Sequence, residues 1–547
     1  KAARAYLAEQ LSSLGLATVI SFGIAAITVG QLNAATAFLG AIIAGNGINY
    51  GILLIARYLE ERRRHDFDTA LANAIVGTLR PTAVASLGAA IAYGSLAATS
   101  FKGFADFAII GSIGMIVCWI ATYLLLPAVM QQFGRDTRIY RGDSVVGGVL
   151  VRLLGFKHSK RVVIVSAILA VIAGVIVYRY VAADPFEYDI KQLRSEGDDA
   201  VTARRWMGVS DENFGRGISG RTYIAADRLD QVPRIVEALK QHDVKLPKDR
   251  QTFGSVSSML DAIPDDQPKK LEVLGEIRGL LDDDALAALD DKERAEILAL
   301  RPPDGLAAIA PQDLPPGIRD RLTEKDGRIG YLVSIRPANH LDEWNGRDLI
   351  RFAHAVRRIE IGNDETVTTS GSSVIFADIV ESIERDGPLV TGIAAVGLII
   401  MVLVIVGRNR RSVAVLIGTF SGSLLMVATC ALLGLRVNFL DFVALPITLG
   451  LGIDYAINVA HRHDHEEIPD PITTLRTSGA AVFVCSLTTI IGYGSLLVSH
   501  NLAIRGFGVA SLIGEIACVF TALVVVPAIL AIDRRSHPTR LPSAPQR

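Results

Sequence analysis

Gly450-Leu451-Gly452-Ile453-Asp454-Tyr455-Ala456 restates Gly45-Asn46-Gly47-Ile48-Asn49-Tyr50-Gly51, and an arginine follows each at the same offset, Arg462 and Arg57. A second block recurs 400 positions apart, Tyr93-Gly94-Ser95-Leu96 against Tyr493-Gly494-Ser495-Leu496. Its register continues through Phe107/Phe507, Gly114/Gly514, Cys118/Cys518 and Pro127-Ala128/Pro527-Ala528, and upstream Asn33 matches Asn438. Apolar helices resemble one another by composition alone. Shared Gly, Tyr, Arg and Pro at fixed offsets point instead to an internal repeat.

Both copies lie in apolar sequence. Half of the 547 residues are hydrophobic and the mean hydropathy is +0.38. Runs of about 20 apolar residues are long enough to cross a hydrocarbon core of about 30 Å as helices. Ten are read here, at roughly 11–32, 36–58, 80–100, 104–131, 161–182, 388–407, 412–434, 439–460, 478–498 and 506–532. The expected organisation is a partial N-terminal repeat of four helices at 1–134, a linker at 135–160 and a helix at 161–182. A soluble α+β domain at 183–387 follows, then a five-helix bundle at 388–535 and a tail at 536–547. The second repeat carries a helix and a soluble domain closed by a helix ahead of its first matched span. The intact protein is therefore expected to have twelve helices and two such domains.

Charge orients this arrangement. Residues 184–386 carry about 28 Lys+Arg against 40 Asp+Glu, roughly −12, which leaves about +11 for the rest of a chain of net charge −1. The basic clusters are Arg57 with Arg62, Arg63 and Arg64; Arg135, Arg138 and Arg141 with Lys157, Lys160 and Arg161; Arg408, Arg410 and Arg411; and Arg534 with Arg535. Each falls at a helix end that alternation assigns to the cytoplasm, while the opposite loops 33–36, 99–103 and 435–438 hold few charges. The reading is a bacterial inner-membrane protein with its soluble domain in the periplasm. Cys118, Cys430, Cys485 and Cys518 all lie in apolar runs and read as small packing residues.

Within the soluble segment, Arg221–Ala226, 330–335 and 366–371 read as strands, and Val232–Lys240, Leu349–Ile359 and Val374–Ile383 as helices. The order suggests split βαβ units in an α+β layer. Residues 255–325 read as a polar helical insertion, with Asp282-Asp283-Asp284 as a solvated helix start.

Asp454 is the residue that demands an explanation. An intramembrane carboxylate costs at least about 2.5–3.5 kcal/mol, so it reads as a group that takes up and releases a proton. Pro446, Gly450, Asp454 and Asn458 share one helix face, matched by Ala41, Gly45 and Asn49. Gly45, Gly47, Gly450 and Gly452 read as small residues that let a partner helix approach. Tyr50 and Tyr455 adjoin this face and can hydrogen-bond a carboxyl across the repeats. Glu515, on a stripe with Gly508, Ser511 and Cys518, is a second intramembrane acid; its repeat counterpart is Met115. Thr488 and Thr489 complete the candidate proton relay, although either can bond backward along its own helix. His461, His463 and His465 with Asp464 and Glu466 read as a solvated helix end rather than a metal site. The chain has no nucleophile elbow or Walker motif. No catalytic residue, metal or cofactor is expected; the coupling ion is H⁺.

These residues resemble the resistance–nodulation–division superfamily, in its MMPL branch of hopanoid and mycobacterial lipid exporters. The resemblance rests on Gly450-x-x-x-Asp454-Tyr455, Gly45-x-x-x-Asn49-Tyr50, the Tyr493-Gly494-Ser495-Leu496 block and the lead-in Asp184-Pro185-Phe186-Glu187-Tyr188-Asp189. It implies proton-driven export of lipids or other hydrophobic molecules by a secondary transporter, not an enzyme. It also implies that Asp454 faces Tyr50 and Asn49 faces Tyr455. The family usually has Asp where this chain has Asn49, so either fewer protons are coupled or Glu515 supplies the second site. A sterol-sensing-like lipid sensor or scaffold, and a proton-driven assistant of protein secretion, are the alternatives. The expected partners are a lipid substrate, the bilayer, and a homo-oligomer or accessory lipid-synthesis or envelope proteins, with no nucleic acid.

Overall fold

The computed structural model describes residues 2–33, 36, 39–133, 145–154, 159–214, 222–244, 246–281, 286, 289–320, 323–329, 331–465, 472 and 475–534. Asp282–Asp284, Arg135, Arg138, Arg141, Lys157, Arg221, Glu466 and Arg535 lie outside them, as do the side chains of His463, Asp464, His465 and Arg534. The chain divides into two compact units, Lys1–Val201 with Glu381–Arg547, and Thr202–Val380.

The first unit is helical. Its long elements are α1 (Ala2–Thr28), α2 (Leu39–Glu61), α3 (Phe67–Gly94), α4 (Lys102–Phe133), the short α5 (Val145–Leu154), and α6 (Ser159–Ala182). After α7 (Asp198–Phe214), and the second unit's α8 (Gln231–Val244), α9 (Gln267–Leu280), α10 (Asp291–Leu300) and α11 (Gly346–Val356), come α12 (Ser372–Ile405), α13 (Arg410–Leu432), α14 (Ala444–His465), α15 (Ala480–Ser495) and α16 (Leu502–Arg534). Among the described residues nine helices are long and apolar enough to cross a membrane, and α1 adds a shorter apolar run, Ser12–Thr28. Two boundaries differ from expectation. α3 starts at Phe67, ahead of its apolar run, and the helices expected at 374–383 and 388–407 are one 34-residue helix, α12, with Pro388 inside it.

The two repeats pack alike. α1 lies on α4 as α13 lies on α16, and α2 lies on α15 as α14 lies on α3. Glycine sets these distances in matched pairs. A Cβ on Gly45 would stand 3.6 Å from the backbone of Gly492, and one on Gly450 only 2.8 Å from Ala92 Cβ. One on Gly47 would meet Cys118 Sγ at 2.7 Å and one on Gly452 would meet Cys518 Sγ at 3.2 Å. The central helix is α14, 94% buried over its apolar span, whereas α6 is 6% buried and turns almost all of itself outward. A helix enclosed on every side by protein can carry polar groups that a lipid-facing helix cannot.

The second unit is α+β. β1 (Thr222–Ala225) and β2 (Phe253–Ser258) both pair antiparallel with β3 (Leu332–Pro337), giving the order β1-β3-β2. β1, α8 and β2 therefore form a split βαβ unit with β3 between its strands. Ile224, Val333 and Ile335 are fully buried, as are Ile235 of α8 and Phe352 of α11. A hairpin of β4 (Arg358–Glu360) and β5 (Thr366–Thr368) completes the unit. β2 corrects the expected helical insertion from 255. Phe253–Ser258 is held as an edge strand by β3, and helix resumes only at Gln267, where α9 and then α10 have no buried residue among those described.

Candidate functional site

Asp454 lies midway along α14 and is 5% exposed. Asn458, one turn on, donates its amide to Asp454 Oδ1 at 2.8 Å. The Asn49 side chain, from α2, interacts with the same carboxylate. Tyr50 is completely buried, beside Ser86 and within electrostatic reach of Asp454, and its hydroxyl makes no hydrogen bond of ordinary geometry among the described residues. The pairing of Asp454 with Tyr50 is thus a neighbourhood rather than a formed bond.

The second acid completes the cluster. Glu515 of α16 is fully buried, and Tyr455 donates to its Oε1 at 2.6 Å. Ser486 of α15 lies beside the same carboxyl, whose Oε2 has no partner among the described residues. Thr489 stands between the two acids. Its Oγ1 is 3.5 Å from Asn49 Nδ2, 3.4 Å from Tyr455 Oη and 3.2 Å from the carbonyl of Gly45. A string of polar side chains therefore runs Asn458–Asp454–Asn49–Thr489–Tyr455–Glu515, through α14, α2, α15 and α16. Such a string leaves neither carboxyl without a polar partner.

Asn49 and Tyr455 both reach the Thr489 hydroxyl, and the Tyr455 hydroxyl donates to Glu515. In the other repeat Met115 has no carboxyl, so the two Tyr positions differ: Tyr455 donates to Glu515, and Tyr50 has no hydrogen-bond partner of ordinary geometry among the described residues. Thr488 donates backward to Cys485 O at 2.7 Å, and no hydrogen bond among the described residues joins it to either carboxyl. Ser86 and Ser486 were not singled out from sequence. They occupy matched positions of the repeat register, which is the signal that finds them.

The bundle ends are tied as well. Glu60 of α2 pairs with Arg57 on its own helix and with Arg462 of α14, bridging the repeats. At the other end, Asn33 accepts from the Thr36 amide at 3.0 Å and donates to Asp106 of α4 at 3.2 Å. Asn438 accepts from the Asp441 amide in the same way, at 3.1 Å, and Asp441 stands where the first repeat has Thr36. Position 506, matching Asp106, is glycine; a Cβ there would lie 2.6 Å from Asn438 Nδ2 and 3.1 Å from Asp441 Oδ1.

Beside Asp441 opens a cavity of about 960 Å³, walled by α6, α12, α13, α14, α16 and the lead-in segment. Phe186, Pro388, Met426, Phe442 and Leu445 make it largely apolar, and Asp184, Glu187, Glu384 and Asp441 put carboxylates on it against the single cation Arg436. The lead-in is pinned there by backbone bonds, Glu187 N to Val437 O at 2.9 Å and Val437 N to Pro185 O at 2.8 Å. Tyr188 donates to Glu384; burial first, then that carboxylate, push its phenol above the ordinary value, so it stays protonated.

The sequence profile of the MMPL family matches residues 7–146 and 245–546. The chain is 22% identical to the hopanoid transporter HpnN of Burkholderia multivorans, over 96% of this chain and 64% of that protein. HpnN of Rhodopseudomonas palustris matches at 22% over 95% and 64%. The probable transport protein MmpL12 of Mycobacterium tuberculosis is 24% identical over 40% of this chain and 20% of its own length. The chain thus spans just under two thirds of the HpnN proteins. Among solved structures, SecDF, a translocon-associated membrane protein from Thermus thermophilus, superposes with a TM-score of 0.51 at 13% identity, covering 98% of this chain and 62% of SecDF; this likeness is one of fold.

Proposed function

Because the chain belongs to the MMPL family, we propose that it is the greater part of an inner-membrane exporter that moves lipids or other hydrophobic molecules outward in exchange for protons. It is a multi-pass membrane protein, and the proton drive is carried by one observation: Asp454 and Glu515 are joined through Asn49, Thr489 and Tyr455 at the contact of the two repeats. Proton transfer there changes the charge of the interface on which the repeats turn against each other. The cargo class is supported by the cavity of about 960 Å³, apolar in its walls and of a size that holds a large ligand. The HpnN relatives are named for hopanoids, and a rigid polycyclic lipid suits such a cavity. The basic clusters support a cytoplasmic side at the Arg57 and Arg462 end, with the cavity toward the periplasm. Chemistry at this site is proton exchange, and the reading is a transporter rather than an enzyme.

The test is lipid export from proteoliposomes under an imposed proton gradient, for the unsubstituted protein and Asp454→Asn. The substitution removes the titrating group and keeps the hydrogen bond to Asn458. Loss of gradient-dependent export with unchanged insertion and monodispersity is expected. An Asp454→Asn protein that exports at the normal rate would overturn the proton assignment.

A further inference from the structure

One helical turn toward the periplasmic end from the acid cluster lies a second buried polar group that the relay does not include. Asn46 of α2 is 2% exposed, and Tyr93 of α3 and Tyr493 of α15 are each 1% exposed. The Asn46 amide donates to Tyr93 Oη at 3.1 Å and reaches Tyr493 Oη at 3.5 Å. The two phenols occupy matched repeat positions and lie within hydrogen-bonding reach of each other. Only the first repeat supplies the asparagine; its counterpart is Leu451.

Packing alone does not account for this trio. Asn46 Oδ1 is buried with no partner among the described residues, and an unsatisfied buried acceptor costs about 1–3 kcal/mol. Beside it, Gly45 and Gly492 bring α2 and α15 into backbone contact, so the polar groups between these helices at this level are buried side chains. Other groups facing the phenols are Cys118 and Tyr50 toward Tyr93 and Glu515 toward Tyr493, with Phe107 and Phe507 packed on the rings. Tyr493 stands one turn from Thr489 on α15, and Asn46 one turn from Asn49 on α2, so the trio joins the acid cluster by two helices at once.

We propose that Asn46, Tyr93 and Tyr493 form the periplasmic-side gate of the proton path, handing protons to the Tyr455–Glu515 end of the cluster. Each phenol oxygen accepts a proton on its outer lone pair as it releases its own inward, so one proton passes and no phenolate remains. Asn46 is a positioning residue: its amide occupies one lone pair on each oxygen and aims the O–H groups along the path.

This inference rests on the proton-coupled reading, and the experiment separates the two. The intact protein is reconstituted in liposomes, and hydrogen–deuterium exchange of the protonated carboxyl band is followed by infrared spectroscopy after transfer to D₂O. Asp454→Asn and Glu515→Gln assign the band. Tyr93→Phe with Tyr493→Phe, and separately Asn46→Leu, should slow exchange about tenfold or more while the band stays in place and thermal unfolding is unchanged. If Asn46→Leu misfolds, the phenylalanine pair, which removes two hydroxyls and no volume, decides alone. Unaltered exchange in the phenylalanine pair, with the band still removed by Asp454→Asn or Glu515→Gln, overturns the gate and leaves the carboxyl pair standing. A protein with no band from either acid overturns both.

Discussion

On the proposed proton-coupled reading, Asn49 decides how many protons the interface can hold. Its side chain interacts with the carboxylate of Asp454 and its amide reaches Thr489, so it fills the place of an acid without being able to exchange a proton. Asn49→Asp would add a second titrating group within hydrogen-bonding range, and the pair would then titrate as one unit. The expected outcome in proteoliposomes is a folded protein with a higher ratio of protons to lipid moved. Glu515→Gln should act oppositely, slowing transport and lowering that ratio, because Tyr455 would then donate to a group with no exchangeable charge. Tyr50→Phe should weaken transport less than Asp454→Asn does. Its hydroxyl makes no ordinary hydrogen bond among the described residues, so its loss removes at most one bond, worth about 0.5–1.5 kcal/mol net. Export rates of Tyr50→Phe and Asp454→Asn, measured side by side, check the order.

At the scale of elements, the two repeats solve one problem with a relocated carboxylate. The turn before α2 uses Asn33, Thr36 and Asp106; the turn before α14 uses Asn438, Asp441 and Gly506. Asp106→Gly should therefore lower the thermal midpoint of the solubilised protein, and adding Thr36→Asp should restore it, since the pair rebuilds the second repeat's arrangement. In the soluble unit, Arg228 and Arg234 of the α8 region grip Glu365 at the β4–β5 hairpin, and Arg234 also donates to Ile361 O and Gly362 O. The Arg228 guanidinium first, then Gln231, hold the Glu365 carboxyl below its ordinary 4.5. A depressed folded-state value means stabilisation that is present above about 4.5 and is lost as pH falls through the folded value. Proteolysis between α8 and the hairpin should thus accelerate below pH 4.5 in the unsubstituted protein, and Glu365→Gln should flatten that acid limb. The helices, the repeat and Asp454 were legible in sequence because apolar length and fixed offsets are local signals. β2 was not, since Phe-Gly-Ser-Val-Ser-Ser becomes a strand only through its pairing with β3. Nor was the Tyr455–Glu515 bond, which joins residues 60 apart on helices whose rotation packing alone sets.

Taken whole, the bundle is symmetric in backbone and lopsided in charge. Every helix contact described for one repeat recurs in the other, yet Asp454 and Glu515, the central carboxyls among the described residues, both come from the second half. On the proposed proton-coupled reading, that lopsidedness sets a thermodynamic ceiling on what the protein can accumulate. A proton falling through about 150 mV releases roughly 3.5 kcal/mol. Two exchanging carboxyls then supply about 7 kcal/mol per cycle, and each 1.4 kcal/mol is a factor of about ten in concentration. On that reading, the steepest gradient of cargo a two-proton cycle can sustain is about 100,000-fold at that voltage, and a cycle that moved one proton would be held to a few hundredfold.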